Sequence, residues 1–132
     1  MKQFIGFVFI IMLFSCKKDD PEKEGPCGVK NPVEELSWLK QDIELFTSKP
    51  PYLDFAYYTK KYKGERVFWL YSVSTFGNLT YRTCDGARKY IPTPLPEDKE
   101  TKDFITLLLS SKASCPYLIW STPNFQKYTP CP

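Results

Sequence analysis

This chain has no histidine. The commonest general acid–base side chain is therefore missing, and a zinc site of mixed cysteine and histidine ligands is excluded. Glycine is scarce, six residues in 132, and each stands singly. No glycine-rich loop is present to cradle a phosphate. No C-x-x-C redox pair occurs, and no apolar stretch reaches the ~20 residues of a membrane-spanning helix. Charge of one sign is not in excess either: 18 basic residues face 15 acidic ones, for a net charge of +3. Lys60, Lys61, Lys63 and Arg66 make only a local cluster, so nucleic acid is not an expected partner. Serines lack a G-x-S-x-G elbow and a histidine partner. Asp54, Glu65 and Asp85 fall near expected turns with nothing pairing them. No catalytic residue, metal site or cofactor is expected, and the chain reads as something other than an enzyme.

What the sequence does contain begins at its N-terminus. Lys2 precedes an unbroken apolar run over residues 4–14, which ends in Leu13-Phe14-Ser15-Cys16. A short positive segment, a short apolar segment and a small residue before cysteine resemble the signal of bacterial lipoproteins. The resemblance implies removal of residues 1–15 and lipidation of Cys16 through its sulfur, with palmitate-type acyl chains holding the protein to a membrane. Phe14 departs from the small residue or valine that the class prefers two positions before the cysteine. Lys17-Lys18-Asp19-Asp20, followed by Glu22 and Glu24, resembles the lysine-plus-acidic tether of surface-exposed Bacteroidota lipoproteins. The implied location is the outer membrane, facing the cell exterior, with the periplasmic face as the alternative. Each buried methylene of an acyl chain adds about 0.8 kcal/mol to anchoring.

With Cys16 committed to lipid, Cys27, Cys84, Cys115 and Cys131 remain. An even number in an exported chain suggests two disulfides, with three possible connectivities. Cys27–Cys84 and Cys115–Cys131 are the expected pairs. Residues 16–26 then form a tether, and residues 27–132 a single disulfide-stapled domain.

Within that domain Asn31 and Pro32 read as the N-cap and first position of a helix over residues 32–47, with Leu36, Leu39, Ile43 and Phe46 on its apolar stripe. Trp38 should flank the stripe. Residues 54–62, 66–74, 79–84 and 87–91 read as successive strands joined by short turns at Lys63-Gly64-Glu65, Gly77-Asn78 and Asp85-Gly86. After Pro92, Pro94 and Pro96 a second helix is expected over residues 97–111, and Tyr117-Leu118-Ile119-Trp120 suits a last strand. The expected fold is α+β: an antiparallel β-meander of about four strands with two helices on one face. The Asn31-Pro32…Leu36…Trp38-Leu39 helix and the Cys84-Asp85-Gly86 turn are similar to those of a group of small Bacteroidota lipoproteins. That likeness covers roughly residues 27–91, implies location and fold, and carries no activity.

Aromatic residues make up 17% of the chain and crowd the expected sheet. Filling a core is their commoner use. Strand alternation would nevertheless leave one set outward, and Tyr57, Tyr62, Trp69, Tyr71 and Tyr81 are the candidate binding face for a protein or a polysaccharide. The chain thus reads as a membrane-anchored, non-catalytic binding or accessory module. A surface-held inhibitor or immunity-like protein, using the loop Thr75-Phe76-Gly77-Asn78, is the alternative. Cys16→Ser is expected to leave the domain folded and release it from the membrane fraction; a variant that still sediments with membranes refutes the lipid anchor.

Overall fold

The computed structural model describes residues 25–48, 54–72, 79–128 and 131–132. The signal and nearly all of the tether, including Cys16, lie outside the described residues, as does the loop 75–78. Among the described residues no helix is long and apolar enough to cross a membrane.

The expected α+β class is observed. A single N-terminal helix is not: α1, Pro32–Glu35, and α2, Ser37–Ser48, are separated at Leu36, whose backbone is extended. The Asn31 side chain makes no cap bond. Its backbone carbonyl accepts from the N–H groups of Glu34 and Glu35, while its own N–H donates to Glu35 Oε1 at 2.7 Å. Glu35, one position beyond the acid of a capping box, thus returns a bond to the cap backbone.

Strands β1, Phe55–Tyr62, and β2, Glu65–Ser72, pair along their full length through a turn with Lys63 and Gly64 both at positive φ, as a two-residue hairpin requires. β3, Thr80–Thr83, and β4, Arg88–Tyr90, follow as a second hairpin. Helix α3, Lys99–Leu109, starts at Asp98, whose carboxylate accepts from the Thr101 N–H at 2.8 Å. Ser110 interrupts the expected second helix and caps α4, Ser111–Ser114. β5, Leu118–Ser121, then joins the sheet, and α5, Pro123–Tyr128, follows it.

The sheet has five strands rather than a meander of about four, in the order β4-β3-β2-β1-β5, because the last strand expected near residues 117–120 joins it. The additional strand pairs antiparallel with β1 at the edge away from the meander. Thr122 secures the junction: its N–H donates to the Phe55 carbonyl at 3.0 Å, and its hydroxyl accepts from the Phe55 N–H at 3.3 Å.

The helices are not on one face, as the sequence had suggested. Phe55, Tyr57 and Phe68 meet Leu39 and the α1–α2 segment on one side of the sheet. Tyr58, Tyr62, Val67 and Trp69 meet Phe104, Leu107 and Leu108 of α3 on the other. The cause is the burial of β1, where five consecutive residues from Phe55 are buried. A strand with large side chains of both parities needs a cover on each face. Tyr62 stacks on Phe104 at 4.3 Å between centroids, and Trp69 meets the same ring edge-on at 5.5 Å.

Both expected disulfides are present, Cys27–Cys84 and Cys115–Cys131. The second closes a separation of 16 residues, for which the chain-entropy account gives about 3 kcal/mol. Cys115→Ala is therefore expected to lower stability in urea by about that amount under oxidising conditions. In reductant, where the parent has lost the same bridge, the two curves should coincide; an equal loss in both conditions refutes the assignment.

Candidate functional site

Trp38, Asp42 and Phe46 recur every fourth residue on α2 and so share one stripe of the helix. That stripe faces the sheet surface carrying Tyr57, Phe68, Arg82 and Arg88. Arg82 and Arg88 are directly opposed across β3 and β4, and Thr80 is opposed to Tyr90. Between helix and hairpin lies a cleft of about 450 Å³, lined by Asp42, Phe46, Tyr57, Arg82, Arg88 and Tyr90 among others. This volume is within the usual range for small-ligand sites, about 300–1,000 Å³.

The cleft exists because two strands part company. β3 pairs with β2 only through Val67–Thr83 and Phe68–Arg82, while β2 continues to Ser72. Beyond Phe68, residues of the opposite layer reach the wall: Trp69, Tyr81 and Leu108 all line the space. Trp69 is 1% exposed, and its Nε1–H has no hydrogen-bond partner among the described residues. The Tyr58 hydroxyl, on the ring stacked against it, is likewise unpaired. Such buried orphans cost about 1–3 kcal/mol each. Burial, with a smaller contribution from Tyr71, pushes the Tyr58 phenol up to about 12.

Asp42 organises the polar side. Its Oδ2 accepts from the Tyr57 hydroxyl at 2.9 Å and from Arg82 Nη2 at 2.8 Å. Arg82 also donates to the Gly86 carbonyl at 3.2 Å, and its guanidinium lies over the Trp38 ring at 5.3 Å. The Trp38 indole donates to the Cys84 carbonyl at 2.9 Å. Gly86 has positive φ, and a Cβ there would lie 2.6 Å from the Trp38 ring, so only glycine fits beneath the indole. The Cys27–Cys84 disulfide fixes the same hairpin to the segment preceding α1. Arg82 is thus held on several sides, while the exposed Arg88 makes no ion pair among the described residues.

Tyr57 does not behave as an exposed contact residue. Burial, reinforced by the Asp42 charge, holds its phenol well above the ordinary tyrosine range. Tyr62 and Trp69 are also core residues, at 4% and 1% exposure, so the expected outward row of five aromatics is not present as a row. Tyr62 donates or accepts a bond with Thr101 and lies apart from the cleft. Tyr57, Trp69, Tyr71 and Tyr81 do line it, as walls rather than as a flat face. Sequence reasoning gave Phe46 only a place on the helix's apolar stripe and did not name Asp42, Arg82, Arg88 or Tyr90 as site residues. The signals were the fourfold spacing on α2 and the symmetry of the hairpin around Asp85-Gly86, which sets position 82 opposite 88.

The carboxylates considered from sequence do not gather here. Asp85 accepts from the Thr83 hydroxyl and the Ala87 N–H, and these bonds hold it below the usual carboxylate range. Among the described residues no group of three or more cysteines, aspartates or glutamates could hold a metal ion. No family model matches the chain, and no curated protein or solved structure matches it.

Tyr57→Phe removes a hydrogen bond to a charged, largely buried acceptor and is expected to cost about 1.5–3 kcal/mol in urea unfolding. The pH dependence has a fixed sign. A phenol whose native value lies above its unfolded value of 10.0 stabilises fully below pH 10, and that stability is lost as pH rises further. The parent should therefore weaken more steeply than Tyr57→Phe above about pH 10. Parallel slopes would show that Tyr57 titrates as an ordinary exposed tyrosine.

Proposed function

We propose that this protein is an envelope lipoprotein, held through Cys16 at the outer surface of the outer membrane, whose domain binds a ligand in the cleft between α2 and the β3–β4 hairpin and catalyses nothing. The observation that carries the reading is the cleft itself. It combines aromatic walls with a small number of fixed polar groups, the composition of a binding pocket. Asp42 and Arg82 neutralise one another at 2.8 Å and are held by further bonds, an arrangement suited to orienting a ligand. The hydroxyl bonded to Asp42, that of Tyr57, is buried and held in its protonated form, which makes it a poor nucleophile.

A polysaccharide is favoured over a protein as the ligand class. The space is concave, and its larger hydrophobic walls are rings rather than aliphatic side chains. Sugar rings stack on such walls through their C–H faces while their hydroxyls bond to charged and amide groups. A protein partner would more naturally meet a broad patch; of the exposed large hydrophobic residues, Leu70 and Tyr90 line the cleft, and Leu45, Leu95 and Leu109 do not.

The test is a screen of envelope and environmental polysaccharides against the full chain in detergent, read by tryptophan fluorescence. Leu70→Glu places a charge on the cleft wall, whereas Leu109→Glu places one on the exposed side of α3. Binding abolished by the first substitution and retained by the second is the expected outcome. Binding that survives both overturns the cleft as the site, and absence of binding across the whole panel overturns the polysaccharide as its ligand. Protease shaving of intact cells should remove the domain, with lysed cells as the control for cleavability; its survival would put the domain on the periplasmic face.

A further inference from the structure

We infer that the cleft selects a carboxylate-bearing sugar, a uronic acid unit within an acidic polysaccharide, and that Arg88 is the residue that contacts the carboxylate. The inference rests on the cleft being the binding site and goes further by naming the ligand's charge.

The argument starts from a local imbalance. Arg82 and Arg88 face each other directly across an antiparallel pair, a placement in which like charges repel. Asp42 is the only carboxylate among the described lining residues, and it is committed to Arg82. The hairpin therefore presents one uncompensated guanidinium, that of Arg88, on the rim of an aromatic cleft. An arrangement that opposes two cations around one acid is completed by one further negative charge.

The size of that charge is set by the same count. A carboxylate carries a single negative charge and takes two parallel N–H bonds from a guanidinium. A phosphate monoester near neutral pH carries close to two, and would meet the Asp42 carboxylate with no second cation to offset it. Ring walls then distinguish a sugar acid from a simple organic acid. Tyr90 is 67% exposed and stands opposite Thr80, two residues along β4 from Arg88, on the same sheet face. A ring stacked on Tyr90 would present its substituent towards Arg88, with the Thr80 hydroxyl beside it.

The experiment uses the full chain in detergent and five probes: trigalacturonate, trimannuronate, the carboxyl-reduced neutral counterpart of each, and hexaglutamate. At least one uronate should bind, its reduced counterpart should bind at least ten-fold more weakly, and added salt should weaken the uronate alone. Arg88→Ala should reduce uronate affinity ten-fold or more, and Arg88→Lys should recover part of it because charge is kept and the two-pronged geometry lost. Arg88 is exposed on a short edge strand, so an unchanged unfolding midpoint is expected and confirms that the variants are folded. Equal binding of uronates and neutral sugars overturns the charge assignment while leaving the cleft as a sugar site. Tighter binding of hexaglutamate overturns the sugar class in favour of an acidic peptide. Uronate binding unaffected by Arg88→Ala overturns the residue assignment, and failure of both uronates to bind overturns the inference even if the broader screen finds a cleft-dependent ligand.

Discussion

β1 and β2 carry large side chains of both parities, and everything else in the fold answers that burial problem. Phe55, Tyr57 and Phe68 face one way, while Tyr58, Val67 and Trp69 face the other, and all are almost wholly buried. A chain this short has little helix to spend on two covers. About one turn of α1 and three of α2 protect one side; α3 and the C-terminal segment protect the other. The cover on the α2 side is centred on β1. It does not extend across the whole sheet, and the surface of β3 and β4 beyond it is left concave. The cleft is thus the remainder of an incomplete layer, which is why its floor and walls are made of the same aromatic residues as the core.

An incomplete layer would be prone to collapse or drift without something holding its far wall. That role falls to a chain of polar and covalent links rather than to packing. Asp42 takes bonds from both Tyr57 and Arg82; Arg82 reaches the Gly86 carbonyl and lies over Trp38; Trp38 bonds to the Cys84 carbonyl; and Cys84 is bridged to Cys27. Helix and hairpin are therefore fixed relative to one another across an open space. A partly buried ion pair of this kind contributes little net stability, since desolvation offsets much of the attraction. Its contribution here is positional. It keeps the cleft's two sides apart and its charged groups oriented before any ligand arrives, which lowers the ordering cost of binding.

Local chemistry in the sequence was enough to locate most elements. The proline brackets, the Asp85-Gly86 turn and the alternation of Tyr81 and Thr83 with Thr80 and Arg82 all act over a few residues, and the hairpins appear where they indicate. The cysteine pairs were likewise legible. The side on which each helix packs was not, because it depends on which parity of β1 and β2 is buried, and both are. The break at Leu36 escaped notice for a related reason: Leu36 fits the apolar stripe whether or not its backbone is helical. The cleft was the least legible feature. Its acid lies on α2 and its two arginines on β3 and β4, 40 or more positions away, and only the tertiary fold brings Asp42 to Arg82. Tyr62 and Trp69 looked like candidates for a binding face because composition cannot separate a ring packed under a helix from one turned to solvent.

The geometry of the proposed anchor bears on how such a cleft could work. One guanidinium and a few rings, open to water, form a modest site; exposed ion pairs are each worth about 1 kcal/mol or less. A free domain with that equipment would hold a single sugar unit weakly. A polysaccharide, however, repeats its unit along the chain, and the proposed lipid anchor would confine many copies of the domain to one surface. Once one copy engages, the remaining units of the same polymer are presented to neighbouring copies at high effective concentration, so the assembly binds far more tightly than its parts. Weak individual contacts are then an advantage, because each can release and re-form while the polymer as a whole stays at the membrane. Under the proposal the lipid at Cys16 would be more than an address. It would convert a small cleft left by an incomplete helical layer into a surface that retains acidic polymers.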